Sequence, residues 1–199
     1  MPKRCLVLIP LLFCFAAIVY QIPITFAGIE EGKAAYEKGD YTTAYKEFEA
    51  EAEQGNAEAQ NCLGVMYEKA RGVPQDYVEA RKWFRKAAEQ GYAVSQCEMG
   101  DIYFRGKRVP RDFTEAMKWY SKAAGKGFAN AQEKLGFMYL NGLGVNRNFV
   151  QAYMWLDLAA RQGVTAAISW KDNVAKRMSR HQIAEAKRLA KEWKPKDKD

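Results

Sequence analysis

The sequence predicts an all-α protein, a solenoid of antiparallel helix pairs, and three observations carry that prediction. One pattern is written three times between residues 56 and 163, at a spacing of 36 residues. In that register Gly64, Gly100 and Gly136 coincide, as do Tyr67, Tyr103 and Tyr139, then Ala80, Ala116 and Ala152, then Trp83, Trp119 and Trp155. Within each copy apolar residues recur by threes and fours, the period of an amphipathic helix. Turn and cap residues divide each copy at the same places, and each closes on Gly91, Gly127 or Gly163. A fixed period of about 20–50 residues is the mark of stacked repeats, which bury their apolar faces on one another rather than around one centre.

Residues 1–27 have the layout of a secretory signal: Lys3 and Arg4, then an apolar run from Cys5 to Tyr20. Thr25 and Ala27 are the small residues a signal peptidase needs, which places cleavage after Ala27. The alternative is an uncleaved inner-membrane anchor over residues 5–27, since about 20 apolar residues span a bilayer. Pro10 and Pro23 make that stretch a poor anchor helix, and Phe13 before Cys14 argues against lipid attachment. Residues 28–55 read as a shortened capping helix pair. Gly28 is matched to Gly64 and Ala44 to Ala80, Lys33–Lys38 is helical, and Asp40 caps the second helix.

Repeats follow at 56–91, 92–127 and 128–163. In the first, helix A covers Ala57–Ala70 and helix B Asp76–Gln90. Leu63, Gly64 and Tyr67 share one face of helix A, and the missing side chain at Gly64 lets helix B come close. That explains a glycine inside a helix despite its cost of about 1 kcal/mol. Asp76, Asp112 and Asn148 are N-caps. Beyond residue 163 the period stops, and residues 164–193 form a pair of C-terminal capping helices. Ser179 and Gln182 make a capping box for the second of them. Residues 194–199 are charged and expected to be disordered.

Little in the chain points to catalysis. His181 is the one histidine, so neither a histidine metal cluster nor a histidine triad exists within one chain. The glycines follow the repeat and do not form a phosphate loop, and no acid–base pair converges. No cofactor, no metal and no nucleic acid is expected. Residues 28–55 carry three basic and eight acidic residues, whereas 171–199 carry ten and five; such a polarity would permit head-to-tail self-association, the plainer reading being charged, solvated helix surfaces. Cys62 and Cys97 lie off the core face of a helical wheel. They either bridge adjacent A helices, if their Cα atoms come within about 7 Å, or remain two free thiols.

The order Ala59…Leu63-Gly64…Tyr67, Gly72-Val73-Pro74-Gln75-Asp76, Ala80…Trp83, Lys86-Ala87-Ala88…Gly91 resembles the Sel-1-like repeat family. The resemblance implies a right-handed superhelix similar to tetratricopeptide repeats, with helix A lining the concave side. It also implies an interaction scaffold or adaptor, of a kind that is bacterial and exported in many members. On that frame the concave face comprises Asn61, Val65 and Lys69, then Asp101, Phe104 and Arg105, then Glu133, Phe137, Leu140 and Asn141. Apolar and aromatic residues on such a face suit a protein or peptide partner. A cell-envelope enzyme, or a modulator of cell-wall enzymes, is the alternative reading. Export through a cleaved signal predicts that N-terminal sequencing of the periplasmic or secreted protein begins at Gly28; an intact Met1 there would overturn it.

Overall fold

A computed structural model describes residues 24–196 of the chain. Among the described residues all regular structure is helical. The cap pair is α1 (Ile24–Glu37) and α2 (Tyr41–Glu53). The three repeats are α3 (Ala57–Lys69) with α4 (Tyr77–Glu89), α5 (Ala93–Arg105) with α6 (Phe113–Gly125), and α7 (Ala129–Asn141) with α8 (Phe149–Arg161). Two further helices follow, α9 (Thr165–Ala175) and α10 (Arg180–Glu192). From α1 to α9 each helix packs on the one before and the one after, so the core is a series of clusters handed from repeat to repeat.

The cap residues act as their chemistry requires. Asp76 accepts from the N–H groups of Val78 and Glu79, Asp112 from Glu115, and Asn148 from Gln151. Ser179 and Gln182 complete both halves of their capping box. The units close on Gly55, Gly91, Gly127 and Gly163 at φ of 94°, 88°, 89° and 89°. That left-handed conformation is open to glycine at no steric cost.

The two helices of a repeat are locked by one contact. A methyl group on Gly64 would lie 2.6 Å from the Phe84 ring. Gly100 is as tightly placed against Tyr120, and Gly136 against Leu156. Phe84, Tyr120 and Leu156 are fully buried, whereas in the Trp column Trp83 and Trp155 are only half-buried. In the cap pair Gly32, not Gly28, meets the equivalent side chain, Phe48, at 2.6 Å. The shorter α1–α2 connection slides the first helix by one turn, which corrects the Gly28–Gly64 match. This first helix also starts at Ile24 rather than Lys33, so it runs across the expected cleavage junction at Ala27. The apolar run from Cys5 to Tyr20 lies outside the described residues. Among the described residues no helix is long and apolar enough to cross a membrane.

A buried glutamine ties each repeat to the one before it. Gln60 and Gln96 donate to the carbonyls of Ala52 and Ala88, both at 3.1 Å, and Gln132 to that of Ala124 at 3.4 Å. In the first and third repeats the amide oxygen is satisfied too, by Gln90 and Gln162 at 2.8 Å. In the second repeat Lys126 occupies that register and donates instead to the carbonyl of Gly91, leaving the Gln96 oxygen without a partner.

The C-terminal helices do not form a repeat-like pair. α9 takes the place of a fourth A helix against α7 and α8, but α10 turns back and packs chiefly on α8. Its Trp193 ring meets Trp155 edge-on at 6.1 Å. The chain beyond it is not free either: the N–H of Lys196 donates to the carbonyl of Gly125 at 2.8 Å, within the stretch expected to be disordered.

Two stability changes follow from these contacts. Gly64→Ala gains helix propensity of about 1 kcal/mol but forces the Phe84 ring out of its seat. Urea denaturation should show a net loss of about 1–2 kcal/mol, overpacking outweighing propensity; a more stable variant would show that the close approach is dispensable. Lys126→Gln should raise stability by about 1 kcal/mol in the same assay by satisfying the Gln96 oxygen. A loss instead would mean that the Lys126–Gly91 bond is worth more than the new one.

Candidate functional site

The helix spacing set by the glycine contacts leaves shallow clefts between successive A helices. The first, about 280 Å³, lies between α1 and α3 and is lined by Tyr36, Phe48, Cys62 and Val65, with Lys69 and Arg71 among its charged residues. The second, about 260 Å³, lies between α3 and α5 around Glu68, Glu98, Asp101 and Arg105. The third, about 290 Å³, lies between α5 and α7 around Cys97, Glu98, Asp101, Glu133 and Lys134. These clefts succeed one another along the face on which the sequence places the binding residues.

Half-buried aromatic rings lie along the same face. Phe104 meets Phe137 at 6.2 Å between centroids, and Phe137 meets Trp170 of α9 at 5.3 Å, both with steeply inclined planes. Phe104 also leans on Phe113 at 5.3 Å and on Tyr120 at 6.4 Å, so its inner edge belongs to the core. The Tyr120 hydroxyl donates to one oxygen of Asp101, while Arg105 reaches the other at 3.1 Å. Burial first, and the Asp101 charge next, push the Tyr120 hydroxyl well above its ordinary pKa.

The remaining sequence-chosen residues divide into open and closed positions. Lys69, Arg105 and Asn141 are exposed, and Val65 is half-buried in the first cleft. Asn61 accepts from the Ser95 hydroxyl at 2.8 Å and so staples α3 to α5. Three positions expected on the open face are closed: Leu140 is 4% exposed, Cys97 8% and Glu133 9%. Leu140 packs in one cluster with residues of α8, α9 and α10, and Glu133 pairs with Lys134 at 3.3 Å. A helical wheel considers one helix at a time, whereas Leu140 and Cys97 are covered by the helices packed against their own, both within the repeat and beyond it.

Cys62 and Cys97 are both free thiols, and both are packed against apolar neighbours rather than off the core face. They belong to different clusters. Burial raises Cys62 to about 11 and Cys97 to about 12, so neither is a nucleophile near neutrality. His181 is exposed. Among the described residues no group of three or more His, Cys, Asp or Glu side chains is arranged to hold a metal ion.

Sequence reasoning missed Glu98, which lines both the second and third clefts, and Trp170, which extends the aromatic series onto α9. The signal for Glu98 was available: Cys62, Glu98 and Lys134 share one register and differ in every repeat. Trp170 stands 36 residues after Lys134, in that same register, although the repeat residues themselves stop at Gly163.

Stacked helix pairs with one continuous row of A helices define a helical-repeat solenoid. Residues 57–92, 93–128 and 129–164 each match the Sel1 repeat, and the chain belongs to the Sel1 repeat family. It is similar to a Sel1 repeat protein from Oxalobacter formigenes, with 35% identity and a TM-score of 0.66 over 72% of this chain and 55% of that one. It is also similar to c5321, a protective antigen of uropathogenic Escherichia coli with an SLR fold (29% identity, TM-score 0.51, 85% of this chain and 45% of that one). Helicobacter pylori cysteine rich protein B matches at 27% identity and TM-score 0.50, over 63% of this chain and 95% of its own. The chain thus spans about half the length of the first two. No curated protein matches it in sequence. Sel1 repeat proteins generally mediate protein–protein interaction, and the family is typically a non-catalytic scaffold.

Proposed function

We propose that this protein is an exported, non-catalytic scaffold that holds a segment of a protein partner along the A-helix face of α3, α5 and α7. The series Phe104, Phe137 and Trp170 carries the reading. Phe84 and Tyr120 are fully buried, whereas these three stay half-open to water, as Trp83 and Trp155 do; what sets the three apart is that they form one continuous series from α5 through α7 to α9. Aromatic rings flanked by an arginine such as Arg105 are the groups that dominate binding energy in protein interfaces. Export rests on the basic start and apolar run at the head of the sequence.

A face-resolved crosslinking experiment tests it. A photo-crosslinking amino acid placed at Lys69, Arg105 or Asn141 should capture one and the same partner in cells. Placed at Val78 or Lys82, on the exposed side of α4, it should not. Equal capture from both faces, or none from the A face, would refute the groove as the working surface.

A further inference from the structure

The charges along the A-helix face are largely neutralised within the protein. Lys107 pairs with Glu68 at 2.7 Å, Arg105 with Asp101 at 3.1 Å and Lys134 with Glu133 at 3.3 Å. Lys33 is held by Glu58 and Glu30 at 2.6 and 3.0 Å. Glu98 departs from this pattern. It stands half-buried on α5, lines the clefts on both sides of that helix, and no hydrogen bond or ion pair reaches its carboxylate among the described residues. Burial, then the nearby charges of Asp101 and Glu68, push its pKa up, so the free protein holds this carboxylate at a cost.

We propose that the groove selects a partner segment carrying a lysine or arginine side chain that docks on Glu98, with an apolar side chain of the same segment against Phe104 and Phe137. This rests on the groove reading above and names the chemistry of its occupant. Of the two cations whose charge reaches Glu98, Arg105 is held by Asp101 and Lys69 makes no ion pair with it, so the carboxylate at the junction of the two clefts still lacks a direct cationic partner. A ligand ammonium or guanidinium meets it with a charge-assisted hydrogen bond, the stronger kind. The aromatic rings adjoin this point through the Tyr120 hydroxyl, which bonds Asp101 while its ring contacts Phe104. From Glu98 to Phe104 is six residues of helix, an axial rise of about 9 Å with a turn of about 120° around the axis. An extended peptide advances about 3.3 Å per residue, so its basic and apolar anchors stand at least about three positions apart. Lys69, exposed and without an ion pair among the described residues, lies on the rim of the first cleft while its charge also reaches Glu98, so it is the group that would favour an acidic side chain instead.

Selection of randomised displayed peptides on the full chain tests the proposal, run in parallel on the wild type, Glu98→Gln and Phe137→Ala. The wild type should enrich Lys or Arg about three or more positions from Leu, Phe or Trp. Glu98→Gln should lose the basic preference and keep the apolar one, and a peptide chosen on the wild type should bind it about tenfold more weakly, as expected for one charge-assisted bond. The variant's melting midpoint, unchanged or raised by removal of an unpartnered carboxylate, confirms that it folds. Enrichment of apolar residues with no basic preference, or a basic preference that survives Glu98→Gln, overturns this proposal and leaves the groove standing. Acidic enrichment also overturns it. Failure to enrich anything, or enrichment that Phe137→Ala leaves untouched, removes the groove reading as well.

Discussion

The contact on which the whole molecule depends is the seating of one helix B side chain on a bare glycine of helix A. It occurs at Gly32 with Phe48, Gly64 with Phe84, Gly100 with Tyr120 and Gly136 with Leu156. Each seat fixes how closely two helices approach, and that distance sets where the next helix A can lie. The clefts between A helices are therefore the product of packing on the opposite side of the same helices. A solenoid has no central core to average out errors, so a displaced seat would be passed to its neighbour.

The second repeat uses this frame differently from the other two. At the seat it has a tyrosine, whose hydroxyl crosses to Asp101 and so links core to groove. At the register of Gln90 and Gln162 it has Lys126, and the buried Gln96 oxygen goes without a partner. Where the others have Gly72 and Gly144 it has Arg108, held at a φ of 59° that costs a residue with a Cβ about 1–2 kcal/mol. Glu98, unpaired, belongs to the same repeat. Three departures that each reduce stability, at Gln96, Glu98 and Arg108, stand in the middle unit, whereas the first has one, Ala70 at a φ of 54° where the others have Gly106 and Gly142. Local rules tend to be broken where function requires it.

The fold was legible because the repeat writes its own rules three times: the glycine seat, the caps and the closing glycines all stand where the 36-residue register puts them. What escaped depends on contacts between elements. Exposure of Leu140, Cys97 and Glu133 is decided by the neighbouring helices, which a single-helix projection omits. The slide of α1 follows from a shorter loop, and only the position of Phe48 reveals it. The return of α10 did leave a trace. Lys82 and Lys118 are replaced by Met154 in the third repeat, and Lys86 and Lys122 by Leu158. Those two apolar residues on the outer face of α8 are what Ala190, Leu189 and Trp193 cover.

That return makes the two ends of the solenoid unequal. The cap pair α1–α2 joins the array through α3, so the cleft between α1 and α3 is held by one neighbouring unit. At the other end α10 lies along α8, and the Lys196 N–H reaches on to the carbonyl of Gly125 at the end of α6. The last two repeats are thus clasped from the B side by a strap that is not itself a repeat. Stability in a linear array is approximately the sum of unit and interface terms, so an added interface raises the stability of the units it spans. The aromatic series and the third cleft lie on the A side of the clasped units. A surface already held rigid loses less entropy on binding than one that must order itself, and each immobilised side chain otherwise costs about 0.5–1.5 kcal/mol. On the proposed reading of the A-helix face, the strap bears on binding although it faces away from the groove, because it would hold Phe104, Phe137 and Trp170 in place from behind.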